Sequence, residues 1–342
     1  SDAHKYDYSA FIKASYRFAD YWNVFADLQY RRVEYKTDGI NDRFVEQTDG
    51  TYKNQELNIN EKYNFFNPKA GISYTKDGHK AYASVAYSHR EPERNNFTDN
   101  YNYPFPKQEK LLDVEFGYQY QGSNWHAGAN FYYMGYDNQL VQTGQESEIG
   151  EALTTNVKDS YRMGVELSAG WAPLSWLSFE GNAALSKNKI KDFDEYVEDW
   201  GSNTGTRVNH YDNSTLSFSP PAVLNGFVDI HYAGFSATWH TNFVSSQYLD
   251  NSDRKDRSLP CYSQSDLSLN YTSAVKKALG IKQVTLGLDF NNVFNRHYAP
   301  SGFVWYNAIN EEGDYTNDHR LTALSYIPMA GFTCMAHLTL KF

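Results

Sequence analysis

The chain has 342 residues, a formal charge of -10, 21% charged and 17% aromatic residues, and a mean hydropathy of -0.68. No apolar run approaches the roughly 18 residues that a membrane-spanning helix needs, which excludes a helical membrane protein. The acidic balance argues against a nucleic-acid partner, because phosphate contacts need clustered Lys and Arg. Two cysteines, Cys261 and Cys334, are too few for a disulfide framework.

Apolar and polar residues alternate along almost the whole chain, which is the pattern of β-strands with one apolar and one polar face. The alternation predicts an all-β fold with no helix apart from one short turn between Ser273 and Ile281. The predicted strands number thirteen and lie at about 8–18, 22–31, 66–75, 80–90, 112–120, 125–133, 161–171, 177–186, 224–232, 235–245, 262–271, 284–290 and 332–342.

The two faces of these strands predict a membrane-spanning barrel instead of a soluble sandwich. The patterns last about nine to eleven residues, the length that a tilted strand needs to cross a bilayer, whereas strands in soluble sheets run about five or six. Aromatic residues cluster beside short connections, as in an interfacial girdle. These aromatics are Trp22, Tyr120, Trp125, Trp171, Trp176, Tyr232 and Phe235.

The alternation also assigns individual side chains to lipid or to the barrel interior, because a one-residue slip would invert every face. The residues predicted to face lipid are Leu112, Phe116, Ala127, Phe131, Val165, Leu286 and Leu340. The residues predicted to face the interior are Glu115, Glu166, Asp229 and Lys341.

Connections alternate between short turns and long polar segments, the plan of outer-membrane barrels whose long loops lie outside the cell. Asp77 and Gly78 form one short turn and suit a type I′ hairpin. The long segments lie at about 36–64, 91–109, 142–156, 190–214, 246–260 and 300–324. Thirteen strands cannot close a single-chain bacterial barrel, which needs an even number. We therefore expect the first and last strands to leave open edges, and residues 1–342 to be one incomplete domain, the C-terminal part of a larger barrel.

Several segments resemble TonB-dependent outer-membrane receptors. They are Leu288–Tyr298, Pro68–Tyr74, Tyr82–Pro92, and Tyr326-Ile327-Pro328 followed by the stretch that ends at Phe342. The barrels of this family have 22 strands around a plug, so the resemblance implies that these are the last thirteen strands and that the plug lies outside this sequence. The resemblance also implies that the protein lies in the bacterial outer membrane and binds a small-molecule nutrient. Its implied partners are outer-membrane lipid, the plug, the upstream strands and the TonB complex.

Aromatic residues in the long segments are the candidate ligand contacts, since flat amphipathic rings bury area while keeping a polar group. The candidate set consists of Arg90 and the aromatic residues Tyr101, Tyr103, Phe105, Trp200, Tyr211, Trp305 and Tyr306. The acidic run between Asp192 and Asp199 is a weaker candidate for a hard cation, because carboxylate oxygens are the ligands that Ca²⁺ prefers. Its candidate ligands are Asp192, Asp194, Glu195, Glu198 and Asp199.

The leading functional hypothesis is import of a scarce, bulky nutrient, a ferric siderophore or cobalamin, with energy from TonB. Uptake of a glycan or peptide by the same class of receptor is the first alternative. A passive outer-membrane porin is the second. An outer-membrane enzyme is not favoured, because no GxSxG, HExxH, P-loop or GxGxxG motif occurs. We expect no cofactor.

Overall fold

One antiparallel sheet dominates the computed structural model, which describes residues 1–99, 104–146, 152–198, 206–278, 280–308 and 320–342. The strands up to the middle of the chain are β1 (Asp2–Ala19), β2 (Trp22–Glu46), β3 (Tyr52–Lys76), β4 (His79–Arg90), β5 (Glu109–Gln121), β6 (Trp125–Glu146), β7 (Ala152–Leu174), β8 (Leu177–Glu198) and β9 (Thr206–Thr215). The remaining strands are β10 (Ala222–Tyr232), β11 (Phe235–Val244), β12 (Gln247–Tyr248), β13 (Ser258–Leu259), β14 (Tyr262–Ala278), β15 (Ile281–Asn291), β16 (Ser301–Ala308), β17 (Arg320–Ile327) and β18 (Thr333–Lys341).

The main path of the sheet confirms the predicted strands. Its order is β1-β2-β3-β4-β5-β6-β7-β8-β10-β11-β14-β15-β18, and each of these thirteen strands contains one predicted segment. Within the described residues β1 pairs only with β2 and β18 only with β15, so this sheet does not close on itself. Open edges were expected from the strand count.

The prediction of long irregular loops was wrong in part. Segment 36–64 is largely a continuation of β2 and β3, and 190–214 contains the end of β8 and most of β9, which pairs with β8 outside the main path. The β16–β17 hairpin lies in segment 300–324 and forms a sheet of its own. Buried and exposed residues alternate in runs within them, as at Leu57 and Ile59 of β3, but the buried side is not the apolar side of the wall.

Little of the described chain is helical, and the helical turn predicted from sequence was wrong. Residues 273–278 continue strand β14, whereas the predicted helical turn began at Ser273. The helices among the described residues are α1 (Arg94–Thr98) and a 3₁₀ turn, Lys255–Arg257. No helix in the described part of the chain has the length and apolarity to cross a membrane.

Tight hairpins close one end of the sheet. Asp77 and Gly78 have φ values of 47° and 83°, as a type I′ turn requires, which confirms the prediction. A Cβ at Gly78 would lie 2.3 Å from the carbonyl oxygen of Gln121. Glycine is therefore required here by both the backbone angle and the close approach of β5.

Cross-strand registers confirm that the sheet has one apolar and one polar face. Phe116 pairs with Phe131, Phe131 with Val165, and Val165 with Leu185, which is a continuous apolar row across β5 to β8. The Phe116 and Phe131 rings stack with centroids 6.5 Å apart. All predicted lipid-facing residues lie on this side, hereafter the outward face.

The opposite, inward face carries a hydrogen-bonded polar network. Tyr82 donates to Asn130 at 2.9 Å, and Asn130 donates to Glu166 at 3.3 Å. The Tyr82 ring lies over Gly117, where a Cβ would come within 2.2 Å of it. The predicted interior residue Glu166 therefore lies on the inward face, in a chain of polar contacts that spans β4 to β7.

Candidate ligand-binding region

The described parts of the long connections lie at the same end of the sheet, opposite the tight hairpins, and together form a packed outer layer. It contains the far ends of β2–β3, β6–β7 and β8–β9, helix α1, the segment 245–261 and the β16–β17 hairpin. Buried apolar side chains concentrate here in three clusters. They are Val33, Tyr63 and Phe65; Val141, Val157, Ile190, Phe193 and Leu216; and Val197, Leu249, Leu259 and Val304.

A buried ion cluster lies beside the last of these apolar groups. The Arg257 guanidinium is fully buried and contacts Asp250 at 2.8 Å and Glu195 at 3.3 Å. Tyr211 and Asn209 each donate to Glu195 at 3.0 Å. The cluster therefore joins strands β8 and β9 to the segment 245–261.

Burial raises the pKa of the Asp250 carboxyl, and the Arg257 guanidinium and hydrogen bonds from Ser252 offset part of that rise. The Ser252 hydroxyl donates to Asp250 at 2.6 Å and its backbone N–H donates at 3.0 Å. A carboxylate in this position needs its cation, because burying an unpaired charge costs several kcal/mol. Arg257 and Asp250 thus depend on each other.

The neighbouring residue Asn251 attaches the same segment to two further elements. Its side-chain amide donates to the Gln142 carbonyl at 2.6 Å, and its carbonyl oxygen accepts from the Ser217 backbone at 2.7 Å. Asn251 is fully buried. The segment 245–261 is therefore a rigid part of the outer layer and carries contacts to β6, β8 and β9.

A second ion cluster lies at the outer end of β4. Glu91 accepts two hydrogen bonds from Arg31 and one from Lys5, all at 2.8 Å, and Arg31 also contacts Asp7 at 2.6 Å. Burial alone would raise the pKa of Glu91, but the hydrogen bonds from Lys5, its own backbone and Arg31 outweigh burial and lower the pKa. This cluster ties β1 and β2 to the start of the segment that contains α1.

The sequence of the chain shows to which protein family it belongs. The family model described as "TonB dependent receptor-like, beta-barrel" matches residues 1–293. The chain belongs to this family. Its members are TonB-dependent transporters and receptors of the outer membrane of Gram-negative bacteria, and the predicted resemblance is confirmed.

Solved structures show the same fold at low sequence identity. The chain matches the copper transporter OprC with a TM-score of 0.73 and 18% identity, covering 100% of this chain and 50% of that one. It matches the ferric-catecholate import receptor Fiu from E. coli K12 with a TM-score of 0.68 and 16% identity, covering 99% and 45%. It matches the siderophore receptor PiuA from Acinetobacter baumannii at 0.70 and 14%, covering 99% and 44%.

This receptor-barrel chain therefore spans about half the length of the solved structures that it matches. A comparison of the sequence with curated proteins finds no match. Together with the family match, the structural likeness confirms the predicted fold, an antiparallel transmembrane barrel of which this chain forms part of the wall.

Two predicted ligand residues of the receptor barrel lie in polar contacts of the outer layer. Tyr211 donates to Glu195 and stacks on Phe193 with ring centroids 6.3 Å apart. Arg90 contacts Glu109 at 3.1 Å. Arg90 and Tyr211 therefore help to hold the layer together, whatever else they bind.

The remaining aromatic candidates are only partly described. Phe105 is 57% exposed, and its ring lies tilted against that of Phe97 with centroids 5.3 Å apart. Trp305 and Tyr306 lie on β16, next to Val304, which packs in the cluster with Val197, Leu249 and Leu259. Tyr101, Tyr103 and Trp200 lie outside the described residues. Participation of these residues in binding stays a prediction.

The acidic run is a strand, and the alternation divides it between two sides. Asp192 and Asp194 are exposed on the outward side, whereas Glu195 is buried on the inward side against Arg257. Asp192 and Asp194 therefore lie on the side opposite Glu195, and cation binding by the run stays a prediction. The Glu198 side chain and Asp199 lie outside the described residues.

A different set of side chains meets on the outward side of the β8–β9 hairpin. Ligand atoms of Asp192, His210 and Asp212 lie within 4.8 Å of one another. His210 contacts Asp194 at 2.8 Å and Asp212 at 3.2 Å, and these hydrogen bonds raise its pKa. All three side chains are exposed, so this remains a polar surface group with its own internal pairing.

Arg257 and Asp250 were not among the candidate residues predicted from sequence. Both lie in segment 246–260, which was assigned to a polar loop. One signal was present: Leu249 and Leu259 flank Asp250 and Arg257, and both leucines are fully buried. Apolar residues spaced through a polar loop indicate that the loop packs against other parts of the protein.

Proposed function

We propose that this chain forms part of the wall and outer layer of an outer-membrane active transporter, which imports a ferric siderophore or cobalamin with energy from TonB. The family match over residues 1–293 is the observation that carries the proposal. The rigid outer layer supports it. A receptor that recognises a scarce ligand needs preorganised contacts outside the wall, since ordering loops upon binding reduces affinity.

The substrate class is supported by the outer layer and by the fold relatives. Fiu is named a ferric-catecholate import receptor and PiuA a siderophore receptor. In this chain the candidate ligand set combines Arg90 with aromatic residues, a combination that suits an anionic, partly aromatic chelate. A ferric siderophore therefore ranks ahead of a glycan or peptide.

We further propose that residues 1–342 are the C-terminal portion of one larger barrel domain, which also includes upstream strands and a plug that contacts TonB. The open edges at β1 and β18 favour this arrangement over a porin made of these strands alone. In lipid, each unsatisfied backbone group costs several kcal/mol, so both edges need further strands.

Uptake by cells tests the proposal directly. A strain lacking the complete gene, and the same strain with the gene restored, are compared for energy-dependent accumulation of ⁵⁵Fe from a panel of ferric siderophores and of ⁵⁷Co-cobalamin. We expect the restored gene to support accumulation of one such ligand, and an uncoupler or loss of TonB to abolish it. Accumulation that persists without TonB would favour the porin. Accumulation of none of the panel, with uptake of a glycan or peptide, would favour the first alternative.

A further inference from the structure

A cavity of about 410 Å³ lies in the outward face where β8 exchanges one neighbour for another. Below this point β8 pairs with β10, as in the pair Leu185–Ala222, and above it with β9, as in the pair Lys189–Thr215. Residues 216–221 connect the two pairings, and this connection lines the opening together with β12 and β13.

Three lysines line this cavity: Lys187, Lys189 and Lys255. Lys189 donates to the Thr215 hydroxyl at 2.8 Å and contacts Asp253 at 3.3 Å. In the described residues Lys187 and Lys255 have no ion-pair partner within 4.0 Å, and both are exposed. Three cations against one carboxylate leave an excess of positive charge at a concave site, which attracts an anion.

The height of the cavity along the wall indicates where that anion comes from. Lys187 pairs with Met163 across β7 and β8, and Leu185 is the preceding outward residue of β8. Met163 is 45% exposed and Leu185 43%, and the nearby Tyr133 and Tyr161 rings stack at 6.2 Å. Tyr133 and Tyr161 lie level with Lys187 and Lys189 across the strands, so a band of tyrosines and lysines follows the apolar side chains, as headgroups follow acyl chains.

We propose that this cavity binds the phosphorylated sugar headgroup of an outer-leaflet lipid. The ammonium groups of Lys187, Lys189 and Lys255 would face the phosphate, and the half-buried ring of Tyr248, which also lines the cavity, would pack against the sugar ring. Lys187 and Lys189 lie on the outward face with Leu185, opposite the polar inward face, so the phosphate contacts are distinct from any site for an imported nutrient. The inference rests on the proposed outer-membrane location.

A lipid is favoured over free phosphate because of the neighbouring surface. The apolar outward row that ends at Leu185 continues down β8 to Phe179, which is 38% exposed and stacks on Trp171 at 5.9 Å. Acyl chains attached to the headgroup would lie along this row. Inorganic phosphate would gain only the contacts to the lysines.

Binding of lipid A, a doubly phosphorylated glucosamine lipid, tests the proposal. The complete gene product is purified in detergent, stripped of lipid, and titrated with lipid A, with its monophosphoryl form and with inorganic phosphate, by native mass spectrometry. The double variant Lys187→Ala/Lys255→Ala should bind lipid A roughly thirtyfold more weakly, since each lysine near a lipid surface contributes about a factor of five. Asp253→Asn should bind it more tightly, because it removes the opposing carboxylate.

A matched control removes the same charge elsewhere in the outer layer. Lys36 and Lys62 are exposed lysines on β2 and β3, and Lys36→Ala/Lys62→Ala should leave lipid A affinity within about twofold. Equal weakening in both double variants, or phosphate binding as tight as lipid A binding, would overturn the proposal. Heat-modifiable mobility on gels shows that each variant is folded.

The uptake assay separates this proposal from the proposed function. Lys187→Ala/Lys255→Ala should retain nutrient uptake, because Lys187 lies on the outward face, Lys255 is exposed, and neither belongs to the candidate ligand set. If the wild-type protein binds lipid A through these lysines but imports none of the nutrients, the transport proposal fails and the lipid site stands. If it imports a nutrient but the double variant binds lipid A as the wild type does, the lipid site fails alone.

Discussion

The wall and the outer layer of this receptor barrel place their apolar side chains on opposite sides of the same strands. In the lower part of β8, Leu185 lies on the outward face and is 43% exposed, whereas farther up Ile190 and Phe193 lie inward and are buried to 0% and 1% exposure. Strand β3 shows the same reversal: Phe66 is 55% exposed and the adjacent Phe65 is fully buried.

The reversal teaches that the surrounding solvent decides which side of a strand is apolar. Around the wall the outward neighbour is hydrocarbon, so apolar residues face out and polar residues line the interior. Above it the outward neighbour is water, so apolar residues turn inward and pack against other connections, as in a soluble protein. Lys187, the first outward residue after Leu185, lies where this change occurs.

Removing the buried cation should have the largest effect, and only on the outer layer. Arg257→Met leaves Asp250 and Glu195 buried without their partner, which should destabilise the segment 245–261 by about 3–5 kcal/mol. Hydrogen exchange should rise in this segment and in the outer half of β8, and stay unchanged in the wall strands. Arg254→Met is the control, because the exposed Arg254–Asp256 pair, at 3.0 Å, contributes about 0–1 kcal/mol. Equal protection in both variants would contradict this role for Arg257.

A charge on the outward face should have the next largest effect, and only in the wall. Phe131→Arg places a guanidinium toward hydrocarbon and should lower the free energy of unfolding by about 2–4 kcal/mol in lipid vesicles. Asn130→Arg, one residue away on the inward face beside Glu166, should be tolerated. Urea titrations of the complete protein in vesicles measure both. Comparable losses for the two variants would show that the faces are wrongly assigned.

The wall was predictable from sequence because its pattern is local and uniform. Every strand of the main path follows a period of two, and turns such as Asp77-Gly78 mark its reversals. The outer layer was not predictable from sequence, because there the apolar side reverses within a strand. Phe65 and Phe66 are adjacent, so together they break the alternation, and the predicted strand therefore begins only at about residue 66.

The buried ion cluster escaped prediction for a related reason. Glu195 belongs to an acidic run that looks solvated, and Arg257 lies 62 positions away in the chain. Charged residues become buried only when a distant partner is present, and spacing alone carries no sign of such a pairing. Arg90 and Tyr211 were selected as ligand contacts, and the structure adds the partners Glu109 and Glu195 that sequence could not supply.

Truncating aromatic residues should affect nutrient binding in the outer layer and not in the wall. Trp305→Ala/Tyr306→Ala should weaken binding of the imported ligand about tenfold, since aromatic residues are the usual energetic centres of binding sites. Tyr133→Ala/Tyr161→Ala, which removes a stacked pair on the outward face, should not change affinity. Tryptophan fluorescence titration of the complete protein checks both. Unchanged affinity in the first variant would remove Trp305 and Tyr306 from the site and leave the barrel assignment intact.

Acid should loosen the junction between β1, β2 and the segment after β4 by a smaller amount. The pKa of Glu91 is lowered from its usual 4.5 in the folded protein, so its contribution to stability is present above that value and is lost as pH falls below it. Hydrogen exchange near Glu91 should increase on acidification from pH 6 to pH 4. Glu91→Gln should show less of this pH dependence, because Lys5 and Arg31 then face a neutral group. An identical pH response in the variant would assign the effect to other carboxyls, such as Asp7.

Spin-label accessibility tests the reversal of faces most directly. Single cysteines replace Phe131, Leu185, Glu166 and Ile190 in the complete protein, in a Cys261→Ser/Cys334→Ser background, since both native cysteines are exposed and free. In lipid vesicles the labels at 131 and 185 should be accessible to oxygen and protected from a nickel chelate, the label at 166 should be accessible to nickel, and the label at 190 should be accessible to neither. Nickel accessibility at 131 equal to that at 166, or oxygen accessibility at 190 equal to that at 185, would contradict the account.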